Sequence, residues 1–296
     1  MGIAWVFPGQ GSQKVGMATG VLDLPGARER LTAASDLLGR DLAAICAGEA
    51  SGDLSDLNDT RNTQPALFVI ESLLVDGLKS QGRSADLVAG HSLGELAALY
   101  AAGVFNVETG LRLMKTRSEL MAASGGGAMT AVMGFDRGEL DQLVSATEGV
   151  VIANDNSSAQ VVISGTPEAV AAVSGQLKCK RAIPLAVSGA FHSPFMQQAA
   201  DAFAAELDAV PFADAIIPVL SNTDPRPETS GAALKARLRS QMITGVRWRE
   251  TMERFSADGI NTSVEIGPGN VLSGLIKRSC EGITTAQISS AGDLGL

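Results

Sequence analysis

A strand–turn–helix unit at residues 86–102, a G-x-S-x-G sequence at its turn and a β-α-β-β-α-β order over 125–188 predict an α/β protein in two parts. The larger part, 1–124 and 189–296, is expected to be an α/β hydrolase-like core with a parallel sheet and a nucleophile elbow. The smaller, 125–188, is expected to be a ferredoxin-like subdomain inserted into it. A length of 296 residues accommodates one large core with such an insert.

Ile3–Phe7 reads as a short buried strand, closed by Pro8-Gly9-Gln10-Gly11-Ser12. Asp86–Gly90 reads as a second strand and Leu93–Ala102 as the helix after it. Leu93, Leu96, Ala97 and Tyr100 give that helix one apolar face, and Gly103 stops it. Glu108–Met121 reads as a further helix. After Gly125-Gly126-Gly127 the rhythm changes to a strand at Ala128–Met133 and a helix at Arg137–Thr147. Strands at Val150–Ala153 and Gln160–Ser164 then flank the turn-rich Asn154-Asp155-Asn156-Ser157-Ser158. Thr166-Pro167-Glu168 opens a helix with an N-cap, a proline at the first position and an acid in the first turn. Ala182–Val187 is expected to be the last strand of the insert.

The chain is 45% hydrophobic and 19% charged, which suits a globular enzyme and excludes a disordered chain. A net charge of −9 argues against nucleic acid as a partner. Local basic patches remain at Lys178, Lys180 and Arg181, at Arg247 and Arg249, and at Lys277 and Arg278; each reads first as a solvated surface. Cys46, Cys179 and Cys280 form no CxxC pair, so neither a metal nor a redox motif is present. Met1–Gln10 lacks a basic stretch followed by an apolar run, and the apolar run Ala66–Val75 is short and carries Glu71. A soluble cytoplasmic protein, monomeric and without a membrane partner, is expected.

Gly90-His91-Ser92-Leu93-Gly94 is a weak motif alone, but its position between a strand and a helix is where a nucleophile elbow belongs. Its glycines remove side chains that would clash in so sharp a turn. Ser92 then projects at a helix N-terminus, where free N–H groups favour a developing oxyanion. The bland alternative is a tight turn with a capping serine. A nucleophilic serine needs a base, and the chain has two histidines. His91 precedes Ser92 directly and is expected to point elsewhere. His192, just past the insert, is left by elimination as the base.

On the helix Glu108–Met121, Leu113, Met114, Leu120 and Met121 share one face, and Glu108, Arg112, Lys115 and Glu119 the opposite one. Arg117 falls near the middle of the apolar face, where a guanidinium is costly unless paired. Its partner is either an internal Asp or Glu, with snorkelling as a variant, or a substrate carboxylate such as that of a malonyl group.

These residues resemble the malonyl-CoA:acyl-carrier-protein transacylase family over essentially the whole chain. The resemblance runs from Phe7-Pro8-Gly9-Gln10-Gly11-Ser12-Gln13 through Gly90-His91-Ser92-Leu93-Gly94-Glu95 to Arg117 with Met121. It continues through Asn154-Asp155-Asn156-Ser157 and Gly189-Ala190-Phe191-His192 to Glu265-Ile266-Gly267-Pro268-Gly269. It implies a ping-pong transfer from malonyl-CoA to the phosphopantetheine thiol of acyl carrier protein, for fatty acid biosynthesis, with no cofactor and no metal. Ser92 would carry the malonyl ester and His192 would act as base, then acid. The backbone N–H groups of Gln10 and Leu93 would form the oxyanion hole, and Arg117 would pair with the malonyl carboxylate. Gln241 lies where the family has a glutamine whose main-chain carbonyl orients the histidine. Met121 and Phe191 fall in the substrate pocket, Phe191 in its malonyl-selecting form, and the asparagines at 154 and 156 near the cleft. One departure is Asn270, where family members often carry lysine.

Two readings compete with the transferase. A serine thioesterase would share Ser92 and His192, but α/β-hydrolases place an acid between serine and histidine and the histidine near the chain end. Here about 100 residues follow His192 and no third member is obvious. A non-catalytic carrier-protein-binding module would lose nothing on replacement of Ser92.

Overall fold

The computed structural model describes residues 2–187 and 189–295; Met1, Ser188 and Leu296, at the edges of the expected segments, lie outside them. The chain begins with β1 (Gly2–Phe7), α1 (Ala27–Leu38), α2 (Leu42–Ala47), α3 (Thr60–Ser80), β2 (Leu87–Gly90), α4 (Gly94–Ala101) and α5 (Val107–Ala123). The middle segment adds β3 (Ala128–Phe135), α6 (Arg137–Ala146), β4 (Val150–Ser157), β5 (Gln160–Gly165), α7 (Pro167–Gln176) and β6 (Cys179–Pro184). The chain then returns through α8 (Gln197–Ala209), β7 (Val219–Leu220), α9 (Gly231–Ser240), α10 (Trp248–Ala257), β8 (Ile260–Ile266), α11 (Val271–Ser279) and β9 (Thr284–Ile288).

The order β7-β2-β1-β8-β9 makes a wholly parallel sheet. Its central strand feeds two cores by alternation. Trp5 and Phe7 pack with the helices α1 to α5 and α8, whereas Ala4 and Val6 pack with Trp248 and Phe255 of α10 and Leu272 of α11. A strand covered on both faces carries an unbroken apolar run, as this one does. Helix α3 crosses one of these cores with Pro65 inside it. That proline has no N–H for the Arg61 carbonyl four residues back. The Arg40 guanidinium takes the place of the missing donor, its Nη2 lying 2.6 Å from the Arg61 oxygen.

The small sheet is antiparallel with order β4-β5-β3-β6, the ferredoxin-like arrangement. Val132, Val161 and Ile163 face α6 and α7, packing on Leu140, Val170 and Val173. Met129 and Val162, the alternate residues, face a cavity against the core. The two segments that join this unit to the core touch each other: a Cβ on Gly127 would lie 2.2 Å from the Ala190 nitrogen. Thr166 caps α7 as expected, accepting the Ala169 N–H. Among the described residues no helix is long and apolar enough to cross a membrane.

Three expectations are corrected. Asn154 to Ser157 are not a turn but the second half of β4. They pair with β5 across two register shifts, and β4 is also tied to the core: the Asp155 N–H donates to the Val246 carbonyl and the Val246 N–H donates to the Ala153 carbonyl. These tertiary partners override the weak strand preference of Asn and Asp. The last strand of the insert is Cys179–Pro184 rather than Ala182–Val187. It is an exposed outer strand, whose Lys180 and Arg181 hide the apolar pattern that marks buried strands. Helix α4 is buried on every side except at Tyr100, rather than on one face, because it lies between the parallel sheet and α3 and α5.

Candidate active site

β2 ends at Gly90 and α4 begins at Gly94, so four residues must reverse the chain. A Cβ at Gly90 would lie 1.9 Å from the Gly94 carbonyl, and one at Gly94 would lie 2.2 Å from the Phe7 oxygen. Only hydrogen fits at either place. Ser92 sits at the apex with φ of 53°. Among the described residues the one other non-glycine with positive φ is His192, at 56°. This left-handed conformation is strained for both side chains, and strain of this kind collects at functional sites. Asn222, after β7, fastens the turn: its Oδ1 accepts the Ser92 N–H at 2.7 Å and its Nδ2 donates to the Gly90 carbonyl.

The two strained residues face each other. Ser92 Oγ lies 2.7 Å from His192 Nε2, and His192 Nδ1 lies 2.9 Å from the main-chain oxygen of Gln241. A carbonyl can only accept, so Nδ1 carries the proton and Nε2 presents its lone pair to the hydroxyl. Burial, and then the Arg117 charge, push the His192 pKa down to about 3, which keeps the ring neutral.

Arg117 on α5 is 1% exposed. Its Nη1 donates to Gln64 Oε1 at 2.5 Å, and its Nη2 donates to Gln241 Oε1 at 2.9 Å and to Ser92 Oγ at 3.2 Å. Nε has no acceptor, and among the described residues no carboxylate lies within ion-pair distance of this guanidinium. Burial lowers its pKa to about 10, with the Glu95 charge opposing. Of the two partners left open by the sequence, no internal acid in direct contact is found among the described residues.

The cavity around these groups has a volume of about 240 Å³ and lies between the core and the open face of the small sheet. Gln10, Leu93, Met121 and Phe191 all line it. Among the described residues neither the Gln10 N–H nor the Leu93 N–H donates to a protein acceptor, which leaves both free for an oxyanion. Asn154 and Asn156 both line the cavity as well. His91 turns from the hydroxyl to these asparagines, its Nε2 lying 2.8 Å from Asn156 Oδ1 and its ring against Trp248. Arg249 of the basic patches is paired with Asp155 and Glu253, and Arg247 with Glu250.

Sequence reasoning missed three residues. Gln64 holds Arg117 and donates to Thr60 Oγ1 and the Met121 sulfur. Glu95, 1% exposed, accepts from Gln241 and Asn222. Its signal was a charge in an apolar helix, the same signal that exposed Arg117. Asn222 follows a two-residue strand and carries no local signal at all.

The family model described as "Acyl transferase domain" matches residues 4–294. The chain is 50% identical to the malonyl CoA-acyl carrier protein transacylase of Synechocystis sp., covering 99% of both chains. It is 39% identical to the transacylase of the same name from Bacillus subtilis, over 97% of this chain and 93% of the relative. The crystal structure of the Synechocystis sp. malonyl-CoA:ACP transacylase superposes with a TM-score of 0.95, at 50% identity, over 100% of this chain and 99% of that one. A malonyl-transacylase solved with its type II polyketide acyl-carrier protein superposes at 0.91, with 36% identity, over 99% and 98% of the two chains. A parallel core with a serine at its elbow, a small antiparallel sheet closing over it and full-length likeness at this identity lead to one assignment: the chain belongs to the acyl transferase family, in its malonyl CoA-acyl carrier protein transacylase branch.

Proposed function

We infer that the chain moves a malonyl group from malonyl-CoA to the phosphopantetheine thiol of an acyl carrier protein, supplying extender units for fatty acid biosynthesis. The observation that carries the reading is Arg117: a buried guanidinium 3.2 Å from Ser92 Oγ, with one donor free and no carboxylate beside it among the described residues. A malonyl carboxylate completes its pairing; an acetyl group leaves it unpaired.

The chemistry runs in two mirrored halves on side chains and backbone alone. Ser92 Oγ attacks the thioester carbonyl as its proton passes to His192 Nε2. The tetrahedral oxyanion lies against the N–H groups of Gln10 and Leu93. Collapse breaks the C–S bond, and the departing CoA sulfur takes the proton from Nε2, leaving a malonyl ester on Ser92. The carrier thiol then gives its proton to Nε2, attacks the ester and returns Ser92 to its alcohol. The malonyl carboxylate also serves the base. By neutralising Arg117 it removes one of the two main influences that depress His192. Met121 and Phe191 shape the acyl end of the cavity. The unpaired cysteines Cys46, Cys179 and Cys280 are in keeping with a cytoplasmic enzyme.

Intact-mass measurement after incubation with malonyl-CoA tests the reading, with acetyl-CoA and the Ser92→Ala variant as controls. One malonyl adduct, absent from Ser92→Ala, weak with acetyl-CoA and lost to added holo carrier protein, is the expected result. Free CoA without an adduct would identify a hydrolase instead.

A further inference from the structure

Two charged side chains are buried beneath Ser92: Arg117 on α5 and Glu95 on α4, each 1% exposed. They do not touch. The side-chain amide of Gln241 lies between them, its Oε1 accepting from Arg117 Nη2 at 2.9 Å. Its Nε2 donates to Glu95 Oε2 at 2.7 Å and to the Ser92 carbonyl at 2.9 Å. The same Oε2 accepts the backbone N–H of Asn222 at 3.1 Å, and Asn222 is the residue whose side chain fastens the Ser92 turn.

We propose that Glu95 is a positioning residue whose Oε2 fixes the direction of the Gln241 amide and, through that one residue, aligns both the Arg117 fork and the His192 ring. An amide has two ends of nearly the same shape. In the observed orientation each contact joins a donor to an acceptor. Turned over, the NH₂ would face the guanidinium, and Oε1 would face both the Ser92 carbonyl and the carboxylate. All three contacts would be repulsive, and the one against a charged oxygen is the strongest. The main-chain oxygen of the same glutamine holds His192 Nδ1, so recognition of the acyl carboxylate and alignment of the base share one support. The spacing matters as well. A direct Arg117–Glu95 ion pair would occupy the fork, whereas one intervening amide keeps a negative charge close and leaves the fork open to substrate.

The proposal rests on the malonyl reading. The test compares kcat/KM for acylation by malonyl-CoA and by acetyl-CoA on the same sample. Their ratio does not depend on how much of the sample is folded, so loss of stability alone cannot move it. Glu95→Met removes the acceptor and is expected to lower the malonyl-to-acetyl ratio by roughly tenfold or more. Glu95→Gln keeps an acceptor oxygen in place and is expected to restore the ratio to within about threefold of the parent. Gln241→Met is expected to match Glu95→Met, and the double variant to lose no more than either alone. Where Glu95→Met does not fold, Gln241→Met and Glu95→Gln carry the test. An unchanged ratio in Glu95→Met or Gln241→Met would overturn the proposal, as would Glu95→Gln falling as far as Gln241→Met. A parent enzyme without malonyl preference would instead overturn the functional reading beneath it.

Discussion

The turns that carry Ser92 and His192 hold the same unfavourable backbone conformation by different means. The serine turn is wedged between β1, β2 and α4, where glycines admit no side chain and Asn222 bonds the peptide from below. The Ser92 side chain contributes only its hydroxyl to the contacts there. The histidine turn lies at the end of the segment returning from the small sheet. It is held mainly by its own side chain, since His192 is 3% exposed with its ring anchored on the Gln241 carbonyl, while the Ser193 hydroxyl donates to the Ala190 carbonyl across the turn. In one place the scaffold strains the residue; in the other the residue's packing sustains the strain.

That contrast can be broken by glycine. Both Ser92→Gly and His192→Gly are expected to lose malonyl-enzyme formation by about 10⁴-fold or more, read by single-turnover CoA release. Their stabilities should diverge. Ser92→Gly relieves the left-handed strain while losing little packing, so its unfolding free energy should rise by about 0.5–1 kcal/mol. His192→Gly gains the same relief but forfeits a buried ring and its hydrogen bond, for a net loss of about 2 kcal/mol in urea titrations. Equal shifts in the two variants would remove the distinction drawn here.

Arg117→Met sharpens the comparison from the side of charge. The preference for malonyl-CoA over acetyl-CoA should fall by roughly 100-fold. The guanidinium is also one of the causes that hold the His192 pKa near 3. Without it that pKa rises, so the acid limb of kcat/KM for acetyl-CoA should move to higher pH. A limb that stays in place would mean that burial alone depresses the ring.

The smallest effect is expected away from the reaction. Glu71 on α3 is fully buried beneath the Gly267 turn, and among the described residues neither carboxyl oxygen has a hydrogen-bond partner. Burial, and then the nearby Glu265 carboxylate, raise its pKa well above the ordinary range. A raised acid binds its proton in the folded state where the unfolded chain has released it. It therefore costs stability progressively as pH climbs from the unfolded value of about 4.3 towards the folded one. Glu71→Gln should raise the unfolding free energy by about 1 kcal/mol at neutral pH and have little effect near pH 4. A gain of equal size at both pH values would refute this account.

The serine turn was legible because its constraint is local: glycines two residues to either side carry it. His192 was reached only by elimination, since its anchor, Gln241, lies 49 residues away. Arg117 stood out as a charge on an apolar helix face, yet the residues that hold it, Gln64 and Gln241, are 53 and 124 positions distant. Asn222 meets Ser92 across 130 residues and left no trace in the pattern. Asn154 to Ser157 read as a turn because their composition says so; the pairing with β5 and Val246 that makes them a strand belongs to the tertiary structure. Periodicity reports which faces are buried, and it is silent on which distant donors meet there.

The contact between Gly127 and Ala190 has a consequence for how such an enzyme can change over generations. The chain leaves the core for the small sheet and returns through two touching segments, with the Asp155–Val246 backbone contact as a further tie, so the unit can be exchanged without cutting any strand of the parallel sheet. Ser92, Arg117, His192 and Gln241 all belong to the part left behind. The wall supplied by Met129, Asn154 and Val162 belongs to the part that moves. Reactivity and recognition of the acyl carboxylate are thus inherited together with the core, while the wall that meets the rest of the arriving thioester is inherited separately and can change without disturbing either.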